Sequence, residues 1–254
     1  MKELICKSRE IPEILKKLDD FGIAVINDFA SPKTIKNLTN EFNKCSNGEE
    51  HEFRSAEYSE GQLFIIKNDE HSKKIFPSTI DFFNSDIFEK ISKSYYKEDN
   101  ILLNHEIYFC KDVEASDHKS QILHYDLVPT LKFFIYLNDI NKENGATHLV
   151  PSSHKITRAK ELSNRKNFIS PEWETSRVNT KENKSKEVAM EGKAGTLVIF
   201  HTDVAHRASS VNKGERLLMR GHTRRPIDLP KNWPQKSPSF IGKIKSTIKK
   251  YYKR

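Results

Sequence analysis

The segment GTLVIFHTDVAHR, residues 195–207, places a run of β-branched and aromatic residues between a glycine and two histidines. Such a compact apolar run is typical of a buried β-strand, and it ends at His201. His206 follows on a second short run, and the chain then turns and enters a third. The segment therefore predicts three successive strands, at residues 196–200, 205–210 and 216–222.

Short runs of the same kind recur through the second half of the chain, whereas the first hundred residues carry helical spacing. Helices are predicted after Pro12, after Pro32 and over residues 80–96, with one strand at 22–26. Seven β runs with turns between them favour a sandwich or barrel. The predicted fold is mainly β with flanking helices (α+β) in one domain. The β runs are residues 101–109, 122–124, 131–137, 147–150, 196–200, 205–210 and 216–222.

His124 and Asp126 lie two positions apart at the end of a predicted strand. Alternate residues of a strand point to the same face, so the imidazole and the carboxylate can approach one ion together. A histidine from another strand would complete two imidazoles and one carboxylate on one side of a metal, an arrangement suited to Fe(II) with open positions. By itself a His-x-Asp pair is a weak signal, and ordinary surface hydrogen bonding is the alternative.

Together with residues 195–207, two further segments resemble the phytanoyl-CoA dioxygenase family of 2-oxoglutarate oxygenases. These are FIYLNDI, residues 134–140, and ENGATHLVPSSH, residues 143–154. Ser152 stands where the family usually has glycine, and we expect a turn with negative φ there. Residues 21–26 are also similar, so the resemblance spans about residues 10–226. It implies a cupin-like double-stranded β-helix, or jelly roll.

The resemblance also assigns roles. It implies Fe(II), 2-oxoglutarate and O2 as cofactor and co-substrates, with His124, Asp126 and His206 as metal ligands rather than His201. Arg216 matches the residue that pairs the far carboxylate of 2-oxoglutarate, with a surface ion pair as the alternative because further arginines follow. Thr147 is a weaker candidate for a co-substrate contact. Substrate contacts are expected from Tyr108, Ile122, Trp173 and Arg207, near a polar connection over residues 155–187 that suits a lid.

The implied activity is hydroxylation, or a related oxidation such as desaturation, of a small-molecule, acyl or saccharide substrate, with release of succinate and CO2. Two alternatives stay open. The first is a cupin-type metal protein or isomerase without 2-oxoglutarate, since fold alone does not decide function. The second is a non-catalytic binding protein held at a membrane by a basic tail.

Charge is concentrated at one end of the chain. The 43 basic and 35 acidic residues give a net charge of +8, but the eight cations of residues 231–254 account for all of it. Nucleic acid is therefore not expected as a partner. The tail has helical apolar spacing and predicts an amphipathic helix that packs on the domain or contacts anionic lipid. Three scattered cysteines and the absence of a signal-peptide pattern favour the cytoplasm.

The predicted organisation is thus one oxygenase domain over residues 1–230 followed by the tail. Within the domain we expect a helical part over about residues 10–97 and a jelly-roll core over about 101–226. Oligomeric state is left open by the sequence.

Overall fold

A computed structural model describes residues 1–47, 54–58, 61–114, 121–126, 128–155, 177–179 and 186–229, with backbone alone for 54–58 and 177–179. Five α-helices lie in the N-terminal part of this described chain: α1 Ile11–Phe21, α2 Pro32–Ser46, α3 Glu70–Ile75, α4 Pro77–Phe83 and α5 Asp86–Tyr96. Short 3-10 helices occupy Lys2–Leu4 and Pro226–Asp228.

The described residues also contain twelve strands. They are β1 Ile23–Ile26, β2 Arg54–Tyr58, β3 Gly61–Lys67, β4 Leu102–Val113, β5 His124–Asp126, β6 Leu131–Tyr136, β7 His148–Leu149, β8 Arg177–Asn179, β9 Val188–Ala189, β10 Leu197–His201, β11 His206–Arg207 and β12 Glu215–Arg224.

These strands form two antiparallel sheets. The large sheet has the order β1-β10-β6-β12-β4-β3-β2, and the small sheet has the order β8-β5-β11-β7-β9. Successive strands β10, β11 and β12 alternate between large, small and large sheet, which is the crossing pattern of a jelly roll. The predicted mainly β fold with flanking helices is confirmed, including the three strands expected around residues 195–222.

Two apolar layers cover the two faces of the large sheet. On one face, Phe109 and Phe133 pack against the helices; the Phe133 ring lies 5.0 Å from that of Phe88 in α5. The opposite face carries Tyr108, Phe134 and other residues that pack toward the small sheet. Strand alternation explains this division, because neighbours such as 108 and 109 point to opposite faces. The interior between the sheets is the space that the functional residues enter.

Capping residues account for the helix boundaries. Ser31 accepts a hydrogen bond from the Thr34 amide at 3.1 Å and precedes Pro32, so α2 begins where the sequence predicts. The predicted helical stretch 80–96 is two helices instead of one. α4 ends at Phe83 with Asn84 as its C-cap, and α5 follows directly after Ser85, whose hydroxyl donates to the Phe82 carbonyl.

Ser152 corrects one expectation. Its φ is +65°, in the left-handed region, rather than negative as expected for the turn. Its hydroxyl donates to the Asp20 carbonyl at 2.9 Å and its amide donates to the Phe21 carbonyl at 2.8 Å. These two bonds offset the cost of a side chain at a position suited to glycine.

Three predictions fall wholly or partly outside the described residues: Trp173, the basic tail 231–254 and most of the connection 155–187. Within the described part of the chain, no helix is both long enough and apolar enough to cross a membrane.

Candidate metal centre

The structure brings His124, Asp126 and His206 together on the interior side of the small sheet. His124 and Asp126 share one face of β5, as their spacing predicts. His206 in β11 is the direct cross-strand partner of His124, and the two rings lie 4.4 Å apart. Residues separated by about eighty positions therefore meet because β5 and β11 are neighbours in the sheet.

Backbone carbonyls set the tautomer of both imidazoles. His124 Nδ1 lies 2.6 Å from the Ile122 carbonyl, and His206 Nδ1 lies 2.8 Å from the Val204 carbonyl. A carbonyl only accepts hydrogen bonds, so each Nδ1 carries the proton and each Nε2 presents a lone pair. His206 Nε2 is buried and has no hydrogen-bond partner among the described residues. A lone pair in this position is the donor that a metal requires.

The three ligand atoms converge. Asp126 Oδ1 lies 3.8 Å from His124 Nε2 and 3.6 Å from His206 Nε2, and one donor atom from each residue lies within 4.8 Å of the others. Metal bonds of about 2.1 Å place adjacent ligand atoms about 3 Å apart, so small side-chain movements suffice to bind one ion. Two imidazoles and one carboxylate on one face fit a metal that keeps its other positions open.

Lys132 of β6 contacts the second carboxylate oxygen of Asp126. Its Nζ lies 2.7 Å from Asp126 Oδ2, leaving Oδ1 toward the imidazoles. Burial opposes ionisation of Asp126, but Lys132 first, and then His206 and His124, outweigh it and hold its pKa well below the ordinary value. Burial lowers the pKa of His206 well below its ordinary value, and the opposing effect of the Asp126 carboxylate does not outweigh it. Both groups are therefore in their metal-binding protonation states at neutral pH.

Arg216 lies on the interior face of β12 but is fully engaged. Its Nε and Nη2 donate to Asp112 Oδ2 at 2.8 and 2.6 Å, and its Nη1 donates to the Gly145 carbonyl. Both charged side chains are almost completely buried. The sequence left a surface ion pair as the alternative for Arg216. The structure shows an ion pair, but a buried one. Thr147 is also buried and lies directly before β7.

The predicted substrate residues are not all brought together. Tyr108 is buried in the interior and its hydroxyl donates to Glu106 at 2.8 Å. Ile122 is 55% exposed, two residues before His124. Arg207 follows His206 on β11, so its side chain projects from the opposite face, where its Nε donates to Glu187 at 2.7 Å. Trp173 is outside the described residues.

His201 lies apart from the cluster, as expected. Its Nδ1 accepts from the Asp203 amide at 3.2 Å, and its ring packs 5.6 Å from that of Tyr95 in α5. Sequence reasoning missed Lys132, which is the only charged residue in the predicted strand 131–137. A lone lysine in an otherwise apolar strand is the signal that marks it, because a buried ammonium requires a carboxylate partner.

Comparison with solved structures supports the fold. The chain is similar to the epimerase SnoN in complex with Fe3+, alpha ketoglutarate and nogalamycin RO, with a TM-score of 0.61 and 12% identity over 85% of this chain and 83% of that one. It is also similar to HygX from Streptomyces hygroscopicus with nickel and 2-oxoglutarate bound, with a TM-score of 0.57 and 15% identity over 84% and 86% of the two chains. The carbocyclase SnoK from nogalamycin biosynthesis is similar with a TM-score of 0.55 and 16% identity over 83% of this chain and 82% of that one.

A search of curated proteins found no match. The model of the phytanoyl-CoA dioxygenase family, however, matches residues 18–217, which is most of the chain. The chain therefore belongs to the phytanoyl-CoA dioxygenase family of non-haem iron, 2-oxoglutarate-dependent enzymes, as its sequence predicts.

Proposed function

We propose that this chain binds Fe(II) through His124, Asp126 and His206 and oxidises a small organic substrate with 2-oxoglutarate and O2. The observation that carries the proposal is the convergence of two Nε2 lone pairs and one carboxylate oxygen within 4.8 Å. The bound metal, with 2-oxoglutarate and O2, would supply the oxidising power and release succinate and CO2. Family membership supports this chemistry over a metal protein without 2-oxoglutarate.

The protein's own residues would prepare the site. The carbonyls of Ile122 and Val204 orient the imidazoles, and Lys132 orients Asp126 so that one oxygen stays available. Such outer contacts restrain the ligands and fix their tautomers. The neutral imidazole of His206 and the ionised carboxylate of Asp126 need lose no proton when they bind a metal ion.

Arg216 remains our proposed partner for the far carboxylate of 2-oxoglutarate, with Thr147 as a second, weaker candidate for a co-substrate contact. Because Asp112 already occupies two nitrogens of Arg216, co-substrate binding there requires the guanidinium to share or exchange this carboxylate. A buried arginine with a planar array of donors suits this exchange.

Hydroxylation is the reaction we favour, with other oxidations as outcomes of a product assay. The similar structures include an epimerase and a carbocyclase, so this fold accommodates several reactions. They also include complexes with nogalamycin RO and hygromycin B, which supports a small-molecule substrate. We further propose that residues 1–230 act as one domain and that the tail 231–254 contacts either this domain or anionic lipid.

The test is an anaerobic titration of the protein with Fe(II) and then with 2-oxoglutarate. Binding is monitored through the absorbance of the metal-to-ligand charge-transfer band. We expect the band in the wild type and its loss in His206→Ala, with metal affinity reduced at least about 100-fold. His201→Asn is the matched control and should keep the band. A wild type that binds no metal, or a His206→Ala variant with wild-type affinity, would refute the assignment.

A further inference from the structure

A second arginine enters the jelly-roll interior from β12. Arg220 lies four residues after Arg216 and therefore on the same strand face. Its guanidinium carbon lies 4.5 Å above the Tyr108 ring centroid and 6.0 Å from that of Phe134. Its Nε is buried and has no hydrogen-bond partner in the described part of the chain. Unlike Arg216, it also forms no ion pair with a carboxylate among the described residues.

His222, two residues further on the same face, presents a second unmet donor. Arg224 Nη2 lies 3.2 Å from His222 Nδ1, and a guanidinium only donates, so Nδ1 is the acceptor. Burial first, and then Arg220 and Arg224, lower the pKa of His222 well below its ordinary value, so the ring is neutral at pH 7. The ring proton is therefore on Nε2, which is buried without a hydrogen-bond partner among the described residues.

Both unmet groups are donors, so their missing partner is an acceptor. A buried donor without a hydrogen-bond partner is unfavourable, so a ligand that accepts from both donors would be stabilised. The nearby carboxylate of Glu106 accepts from the Tyr108 hydroxyl at 2.8 Å and lies 3.7 Å from Arg224. The charge of Arg220 is therefore available to an anion.

Ring contacts hold these donors in place. The His222 ring stacks on Tyr108 with 4.3 Å between centroids, while Arg220 stacks on Tyr108 as well. Side chains that are stacked on a ring and partly or wholly buried lose little further freedom when a ligand binds, so the donors are already oriented.

The same donors lie close to the candidate metal centre. Phe134, beside Arg220, packs 5.1 Å from Phe200, whose ring lies 5.2 Å from that of His206. His222 is also the cross-strand partner of Lys132, which contacts Asp126. Arg216 is not part of this group of donors, because it lies about 13 Å from Arg220 along β12.

We propose that Arg220 and His222 form an anion subsite in the roll interior that binds a carboxylate, sulfonate or phosphate oxyanion. The oxyanion belongs either to the primary substrate or to the far end of 2-oxoglutarate. The naming of these two molecules as carriers of the oxyanion rests on the proposed function. The subsite itself rests on the two donors without hydrogen-bond partners, Arg220 Nε and His222 Nε2, and on the guanidinium that forms no ion pair among the described residues.

Two binding experiments separate the carriers. The first titrates 2-oxoglutarate into the Fe(II)-loaded protein without O2, in the wild type, Arg220→Gln and Arg216→Gln. The second titrates sulfate and inorganic phosphate, by calorimetry, into the metal-free protein and into the protein saturated with Fe(II) and 2-oxoglutarate. Arg225→Gln, which removes an arginine paired with Asp228 outside the site, is the matched control.

A loss of 2-oxoglutarate affinity of about tenfold or more in Arg220→Gln assigns the subsite to the co-substrate. Unchanged 2-oxoglutarate affinity with loss of sulfate or phosphate binding assigns it to the substrate. Arg220→Lys keeps the charge without the planar donors and should give intermediate affinities, which separates anion binding from misfolding.

The proposal is overturned if Arg220→Gln changes none of these affinities by more than about twofold while the charge-transfer band is intact. If the wild type shows no band, the proposed function fails, but anion binding to the metal-free protein that Arg220→Gln abolishes still supports the subsite. A wild type with neither the band nor anion binding overturns both.

Discussion

Removal of Lys132 tests how charge is arranged around the metal site. Its ammonium lies 2.7 Å from Asp126 Oδ2, so a divalent ion on Oδ1 would lie on the order of 5 Å away. At that separation the repulsion between ammonium and ion is about 7 kcal/mol for an effective dielectric constant near 20, and about 2 kcal/mol for water. Loss of the orienting contact acts in the opposite direction, by about 1.4–2.7 kcal/mol or 10–100-fold in metal affinity.

Between these two dielectric constants, the repulsion that is removed with Lys132 mostly exceeds the stabilisation that is lost with its orienting contact. We therefore expect Lys132→Met to bind a divalent metal about tenfold more tightly, because Asp126 loses its competing cation. The variant should bind the dianion 2-oxoglutarate about tenfold more weakly, since a nearby positive charge is lost. Without metal it should be less stable by about 3 kcal/mol, because Asp126 is left largely buried without its partner.

The assay is competition with a chromophoric chelator for Mn(II), followed by 2-oxoglutarate titration of the metal-loaded protein. Lys111→Met is the matched control, because Lys111 pairs with Glu215 at 3.5 Å at a partly exposed position on β4, and both affinities should stay unchanged. If Lys132→Met binds metal 10–100-fold more weakly and 2-oxoglutarate normally, orientation outweighs charge and the reasoning above is wrong.

Two further predictions concern stability, both measured by urea unfolding of the metal-free protein. Gly22 ends α1 with φ +73°, and a methyl group there would overlap Val204, so Gly22→Ala should cost about 3 kcal/mol. Gly214→Ala has a similar φ but open space around it and should cost only about 1–2 kcal/mol; equal losses would contradict the overlap. Asp112→Asn leaves Arg216 buried without its counter-ion and should cost about 3 kcal/mol, so a neutral effect would show that the pair is not formed in solution.

Local rules were sufficient for the pairing of His124 with Asp126, but not for the third ligand. The two-residue spacing of His124 and Asp126 follows from strand geometry, and an apolar run before His206 locates the partner strand. That the two strands are neighbours does not follow from either segment alone. The family resemblance supplied His206 as the third ligand, and the structure places His206 opposite His124 in the sheet.

Tertiary contacts account for what could not be predicted. For Arg216 a surface ion pair stayed open as the alternative, because nothing in the sequence shows which of the arginines of β12 are buried. Asp112, the partner of Arg216, is about a hundred residues away and reaches it only because β4 and β12 pair. The left-handed φ of Ser152 likewise depends on a distant acceptor, the Asp20 carbonyl.

The charges of the interior, considered together, indicate which anion the Arg220 subsite accepts. Lys132 offsets Asp126 and Asp112 offsets Arg216, while Glu106 lies beside Arg224. The remaining charges are the two of a divalent metal and the one of Arg220, which together give the interior three positive charges. Binding of the dianion 2-oxoglutarate reduces this net charge to one. A buried uncompensated charge is costly, so a substrate with a single anionic group would complete the neutralisation. Of the two carriers, the primary substrate is the one this balance favours.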